Sequence, residues 1–418
     1  MLKHVLKKSK KTKKLTAAVA IVLIAGIGTL LLLNSHAASP FISKTADSGT
    51  LSNVTKQACS DTADGNCVVF EGAPETAPAM TSDSSPQAVA VDNSGDVYFD
   101  DFNHDVVDKL SSSGALSIVA GTYNTPGNSV AGRATSTDLY YPIGVAVDSK
   151  GNLYIGTAAN IVKVTPTGTL SIYAGIVGQS GTSTPGPAKS SLLQAPVGLA
   201  LDASSNLYIA DQGTQGDMFE QGGTTPGVND VIEKVTTAGT LSIIAGEISQ
   251  NTSGAPTPGG QATNTPLDYP QAVAVDSSGN FYIGEGEDAD KVNTSGVLSI
   301  VAGGSFGTGY PTPGPATSSH VNDIQGLALD SAGNLYMADS GNCVIEKVTP
   351  SGTLSIFAGI IGECGPATAG TALSSKLNQP NGITLDSSGN LYVADTANNT
   401  IDKITPSGVL SILTGPNN

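Results

Sequence analysis

One phrase recurs six times along this 418-residue chain, and that recurrence constrains the fold more than any other feature. It reads PQAVAVDNSGDVYF from Pro86, PIGVAVDSKGNLYI from Pro142 and PVGLALDASSNLYI from Pro196, then PQAVAVDSSGNFYI from Pro270, IQGLALDSAGNLYM from Ile324 and PNGITLDSSGNLYV from Pro380. Its aspartates Asp92, Asp148, Asp202, Asp276, Asp330 and Asp386 are spaced 56, 54, 74, 54 and 56 residues apart. The long interval marks an insertion in the third copy, a Gly-rich run between Tyr208 and Val235 that should form an exposed loop or hairpin.

Each copy divides into four short strands. In the sixth these are expected from Gly382 to Leu385, Leu391 to Ala394, Thr400 to Ile404 and Val409 to Leu413. Asp386 and its five counterparts supply a carboxylate that can accept from turn N–H groups, and Gly389 supplies positive φ. The first two strands are apolar on both faces, as in Val145-Ala146-Val147 and Leu153-Tyr154-Ile155, whereas the last alternates polar and apolar residues. That gradient describes a blade whose inner strands are sandwiched between neighbours and whose outer strand meets water. Fifty glycines, 23 prolines and only 13% charged residues agree with an all-β chain of short strands and turns.

The combined pattern, Pro-x-Gly-hydrophobic-Ala-hydrophobic-Asp, then Gly-Asn-Leu-Tyr-hydrophobic-Ala-Asp, then hydrophobic-x-Lys-hydrophobic, resembles the NHL repeat. The resemblance implies a six-bladed β-propeller over 86–418, with blades starting near 86, 142, 196, 270, 324 and 380. Every copy carries its own fourth strand, so the ring can close by packing last blade against first; a strand from Cys67 to Phe70 completing an outer blade is the competing arrangement. Linkers of about 20 residues join the blades, each with an apolar residue three before the repeat (Leu139, Leu193, Leu267, Val321, Leu377) that should dock it. These linkers are expected to gather on one end of the ring.

Residues 1–37 hold seven lysines and no acid, followed by an uncharged apolar stretch from Leu15 to Leu33. This is expected to be a helical export signal, cleaved after Ala37, or a retained membrane anchor, which places the remainder outside the cytoplasm, secreted or at the cell surface. Without it, 12 basic residues face 35 acidic ones, a formal charge of −23 that disfavours nucleic acid and limits membrane contact to the N-terminal segment. Residues 38–85 are Ser/Thr-rich and expected to be a spacer with one short hairpin. In an oxidising compartment the four cysteines should pair locally, Cys59 with Cys67 and Cys343 with Cys364.

Little in the chain announces catalysis. Beyond the signal segment the histidines are His104 and His320, too few for the histidine-rich metal centre of the amidating lyases that share this fold class, and His104 is expected in a solvated turn. Six-bladed lactonases of the gluconolactonase type carry an axial calcium held by oxygen ligands, for which the candidates here are Asp101, Asp211, Asp339 and Asp395, at the end of the second strand in four blades. Blades two and four break that series, and repetition favours a turn-capping role for the four. The third strands hold Lys109, Lys234, Lys291, Lys347 and Lys403, each after an acid, which suggests ion pairs from blade to blade. The expectation that follows is a monomeric, non-catalytic scaffold without a resident cofactor, binding a protein, peptide or glycan; a calcium-dependent lactonase or lyase is the alternative.

Overall fold

The computed structural model describes residues 80–213, 229–248, 258–304 and 309–416, with only short backbone strands ahead of them. The expected signal or anchor helix, the Cys59–Cys67 bridge and the tip of the third-blade insertion lie outside the described residues. Among those described, no helix is long and apolar enough to cross a membrane. The chain divides into two units, Met1–Ala73 and Pro74–Asn418. In the first, the strand Asn66–Phe70 pairs antiparallel with Val54–Ala58.

The second unit is a ring of six blades, each a meander of four antiparallel strands drawn from one repeat. Blade six comprises Pro380–Leu385, Leu391–Asp395, Thr400–Ile404 and Val409–Thr414, numbered here from the axis outward. Blade two comprises Gly144–Val147, Leu153–Gly156, Asn160–Val164 and Thr169–Gly175. Blade four comprises Ala272–Val275, Phe281–Gly284, Asp288–Val292 and Leu298–Gly303. A single blade cannot bury two apolar faces by itself, and the core accordingly lies between blades. Six clusters fill the six seams: Leu153, Ile155 and Val162 pack with Ala90 and Val107 of blade one, and Leu327 and Met337 pack with Ala274 and Tyr282 of blade four.

Closure uses no exchanged strand. Blade one supplies all four of its own, and its first strand sits against that of blade six, where Gly382 N–H donates to the Gln87 carbonyl at 2.8 Å. Val89, Phe99, Tyr392 and Ile401 fill this last seam together with Met80. Ser85 N–H donates to Asn399 Oδ1 at 2.9 Å. Residues 80–85, read from sequence as the end of a spacer, thus belong to the propeller.

The linkers form a belt instead of gathering at one end. Gly132–Arg133, Gly186–Pro187, Gly314–Pro315 and Gly370–Thr371 each add a short fifth strand to the outer edge of the blade that follows. A one-turn 3₁₀ segment comes next; in the first linker its Ala134 N–H donates to Gly168 O at 2.9 Å and its carbonyl accepts from Gly121 N–H at 3.0 Å, joining blade two to blade one. Pairing covers an edge that would otherwise present free backbone groups. Leu139, Leu193, Leu267, Val321 and Leu377 are all buried, so the docking residues anchor the belt, each contributing about 1.5–3 kcal/mol of apolar burial. Cys343 and Cys364 form a disulfide that ties the linker leaving blade five to the start of that blade's third strand.

Candidate functional site

The innermost strands approach so closely that small residues are required. A Cβ added at Gly144 would come within 2.7 Å of the Val197 carbonyl, and one at Gly382 within 2.7 Å of the Gln87 carbonyl. The residue just before each of these small positions then faces the axis. Gln87, Ile143, Val197, Gln271, Gln325 and Asn381, one per blade, ring a cavity of ≈ 460 Å³. Turns between second and third strands add Phe102, Gln212 and Ser340 at the mouth.

This lining is polar and rich in carboxamides. Asn381 Nδ2 donates to Gln87 Oε1 at 2.5 Å, while Gln271 Nε2 and Gln325 Nε2 both donate to Asp323 Oδ1, at 2.9 and 2.7 Å. Asp323 is the one carboxylate lining the cavity. Burial raises its pKa and the two amides hold it back. Blades two and three contribute the apolar arc, Ile143 and Val197, beside which Phe102 stacks on Tyr141 with ring centroids 5.2 Å apart.

Asp101, Asp211, Asp339 and Asp395 do not converge on this cavity. Each is buried in its own blade, where it accepts donors from the incoming linker or the adjacent turn. Asp211 Oδ1 takes the N–H groups of Gln194 and Ala195 at 2.9 and 2.8 Å, and its Oδ2 takes Asn229 Nδ2 at 2.9 Å. Asp339 takes Asn342 Nδ2 at 2.8 Å, and Asp395 takes Asn398 Nδ2 at 2.6 Å and Asn378 N–H at 2.7 Å. The expected axial calcium set is therefore replaced by linker anchors. Burial still pushes Asp211 and Asp395 up to about 7 and Asp339 to about 6, against the hydrogen bonds that favour ionisation. His104 is buried, not solvated: its Nδ1 lies 2.7 Å from Asp101 Oδ1 and its ring stacks on Tyr123 at 4.7 Å.

Blade four does not break the series after all. Register places Gly284 opposite Ala272 and Ala289, so Glu285 occupies the position of Asp211, and it is equally buried. Only blade two departs, with Thr157 there, whose Oγ1 donates to Asn160 O at 2.9 Å.

The lysines pair within their own blades. Lys234 lies directly opposite Tyr208 in the ladder, so both side chains share a face; its Nζ donates to Tyr208 Oη at 2.7 Å, sits 4.6 Å from that ring centroid and 3.4 Å from Asp202 Oδ2. Lys291 and Lys347 meet Asp276 and Asp330 at 3.9 and 4.0 Å, Lys109 meets Asp96 at 2.6 Å, and Lys403 lies 5.0 Å over Tyr392. The inter-blade pairing expected from sequence is overturned because each lysine meets the tyrosine or turn aspartate on its own blade's face, while the preceding acid, on the opposite face, forms no ion pair with a lysine. The turn aspartates do hold their turns: Asp386 Oδ1 accepts from Ser388 and Asn390 N–H at 2.9 Å, and Oδ2 from Asn390 Nδ2 at 2.7 Å. Partial burial works against ionisation of Asp148, Asp202, Asp330 and Asp386, but the Asn and backbone donors outweigh it and lower all four.

Those preceding acids, Asp108, Glu233, Asp290, Glu346 and Asp402, are 0–3% exposed, and each has at least one carboxylate oxygen without a hydrogen-bond partner. A ladder irregularity toward the outer strand falls at this residue in every blade. Burial, reinforced by the carboxylate at the end of strand two, raises Glu233 and Glu346 well above the usual range and Asp402 to about 8.

A family model described as the Teneurin NHL domain matches residues 252–404. The fold is an NHL-like propeller. Teneurin-3 of Mus musculus is 23% identical over 299 residues, which cover 68% of this chain and 10% of the relative. Teneurin-m of Drosophila melanogaster is 26% identical over 159 residues, covering 35% of this chain and 6% of the relative. This chain thus spans about 10% of the length of the mouse relative it matches. Among solved structures, an auxiliary nutrient binding protein from Bacteroides ovatus superposes with a TM-score of 0.53 at 14% identity, covering 79% of this chain and 69% of that one. Likeness at that identity concerns the fold alone.

Proposed function

We propose that this NHL-like propeller is a non-catalytic binding scaffold, exported to the cell surface or secreted, that seats a neutral ligand at the mouth of its axial cavity. The observation that carries this reading is the lining: six carboxamides, one carboxylate and an apolar arc flanked by stacked aromatic rings. Carboxamides offer donors and acceptors in equal measure and match hydroxyl-rich or amide-rich partners, while an aromatic face suits the apolar side of a sugar ring. A glycan fits best, with a polar peptide segment next. The Cys343–Cys364 bridge and the acidic composition accord with life outside the cytoplasm.

Hydrolysis needs a nucleophile, or an acid and base, within reach of the reacting bond. The axial cavity offers Asp323 alone, already engaged by two amides, and the aspartates once suited to an axial metal are occupied inside their blades. The test is a glycan and peptide array probed with the wild-type chain and with a Gln271→Ala/Gln325→Ala variant. Ligands retained by the wild type should bind the variant about tenfold more weakly, the loss of two hydrogen bonds of about 0.5–1.5 kcal/mol each. Equal retention would remove the axial mouth as the seat, and turnover of a lactone by the wild type would overturn the non-catalytic reading.

A further inference from the structure

Blade four carries a group of side chains that the axial reading does not use. Glu285 ends the turn side of its second strand, and Asp288 and Asp290 stand on the third strand, all three buried, with carboxylate oxygens within 4.8 Å of one another. Two oxygens that share one cation at about 2.3–2.6 Å can lie no more than about 5 Å apart, so this spacing suits a single ion. Asp290 is 0% exposed, and neither of its oxygens has a hydrogen-bond partner; Glu285 Oε1 has none either. The charges acting most strongly on Glu285 are those of Asp290, Asp288 and Asp268, all negative. Lys291 is directed to the other face, 4.9 Å over the Tyr282 ring.

The sister blades show what such a position requires. Blades three, five and six place a side-chain amide on the acid at the end of strand two (Asn229, Asn342, Asn398), and blade one places His104 there. At the place of Asp288 they carry Val231, Val344, Thr400 and Val106. Blade four has lost the amide and gained a third acid, leaving Asp268 N–H, at 2.8 Å from Glu285 Oε2, as the one donor given to that carboxylate. Three buried carboxylates cannot all ionise unless a cation compensates them.

We propose that Glu285, Asp288 and Asp290 bind a hard divalent cation inside blade four, with calcium the fitting ion for an oxygen-only set of three carboxylates completed by backbone oxygen or water. The ion would join the second and third strands of that blade where the other blades use an amide. It lies in a different place from the axial mouth and does not depend on what binds there.

The experiment is calorimetric titration of calcium chloride into the chelator-stripped full-length chain, with terbium luminescence as an independent readout. One calcium per chain is expected, with a melting temperature raised by saturating calcium. Asp288→Asn should weaken binding at least tenfold, and Glu285→Thr/Asp288→Asn/Asp290→Val, which installs the residues of blade two, should abolish both calcium heat and calcium-dependent stabilisation. If the triple variant does not fold, Asp288→Asn, checked by circular dichroism, decides alone. No calcium heat and no terbium emission from the folded wild type would overturn the proposal, as would equal binding by the folded Asp288→Asn chain. A Gln271→Ala/Gln325→Ala chain should keep its cation whatever it loses at the axis.

Discussion

Blades two and four have second-to-third-strand turns of the same length and nearly superimposable strand patterns, yet opposite interiors. Blade two carries Thr157, Asn160 and Val162; blade four carries Glu285, Asp288 and Asp290 at the same three positions. Thr157 Oγ1 donates to Asn160 Oδ1 at 3.0 Å, a neutral pair in place of the acids, and Val162 joins the seam packing against blade one. The backbone of a blade thus does not demand acids there. Where acids occur at the end of strand two they hold a linker through donors, as Asp211, Asp395 and Glu285 do, whereas third-strand acids such as Asp290 have unpartnered oxygens, and only blade four, among the described residues, gathers three acids within 4.8 Å. The difference separates a structural requirement of the fold from a chemical capacity added to one blade.

The sharpest way to break that comparison is to give blade two what blade four has. Val162→Asp places one carboxyl in an apolar seam with no donor, and should cost about 3–5 kcal/mol at pH 8 in urea denaturation. The cost should shrink at pH 5, where the carboxyl can fold protonated. A cost independent of pH would mean that lost packing, not charge, is what the seam resists.

The wild type should show a related pH profile. Asp290 and Asp402 are raised to about 8, Asp211 and Asp395 to about 7, and Asp288 to about 6, chiefly by burial. In this range the folded state binds more protons than the unfolded one, so the stability contributed by these acids is present at low pH and is lost as pH rises through 6 to 8. The four turn aspartates with lowered values act in the opposite sense, and their contribution falls away as pH drops below about 4. In chelator, the melting temperature should therefore climb from pH 8 to about pH 5 and decline below pH 4. Calcium should shallow the alkaline limb by the share of the blade-four acids, the triple neutral variant of blade four should shallow it equally without calcium, and the share of Asp402, Asp211 and Asp395 should remain in both.

Smaller effects test the parts common to all blades. Asp386→Ala removes the acceptor for two turn N–H groups and one amide and should destabilise by about 1–2 kcal/mol, read from urea midpoints at constant slope. Lys403→Met removes a half-buried cation over Tyr392 and should change stability by under about 1 kcal/mol. A loss of several kcal/mol at Lys403 would restore the idea of pairing across a seam.

The number of blades, the four-strand division, the turn aspartates and the apolar docking residues were legible because each is a repeated local signal with a local cause. The lysine partners were not, because the face a strand residue occupies relative to its ladder partner depends on register, and Tyr208 opposite Lys234 is fixed only once the strands are paired. Glu285 was hidden by a shortened turn: matching the Ala-Asp that ends strand two in blades three, five and six against Gly284-Glu285 requires knowing that the deletion falls after the strand and not within it. The axial ring was written in the second residue of the repeated phrase, Gln, Ile, Val, Gln, Gln and Asn in turn, and variation within an otherwise constant phrase was the signal that marked it. Residues 80–85 carry no repeat signature, and only the packing of Met80 between blades one and six reveals them as part of the ring.

The most direct test of the division between a carboxamide-lined axis and acid-bearing blades is anomalous scattering from crystals of the protein soaked with terbium. A single strong peak among Glu285, Asp288 and Asp290, with none in the axial cavity, is the predicted result; a peak on the axis beside Asp323 and none in blade four would contradict the account.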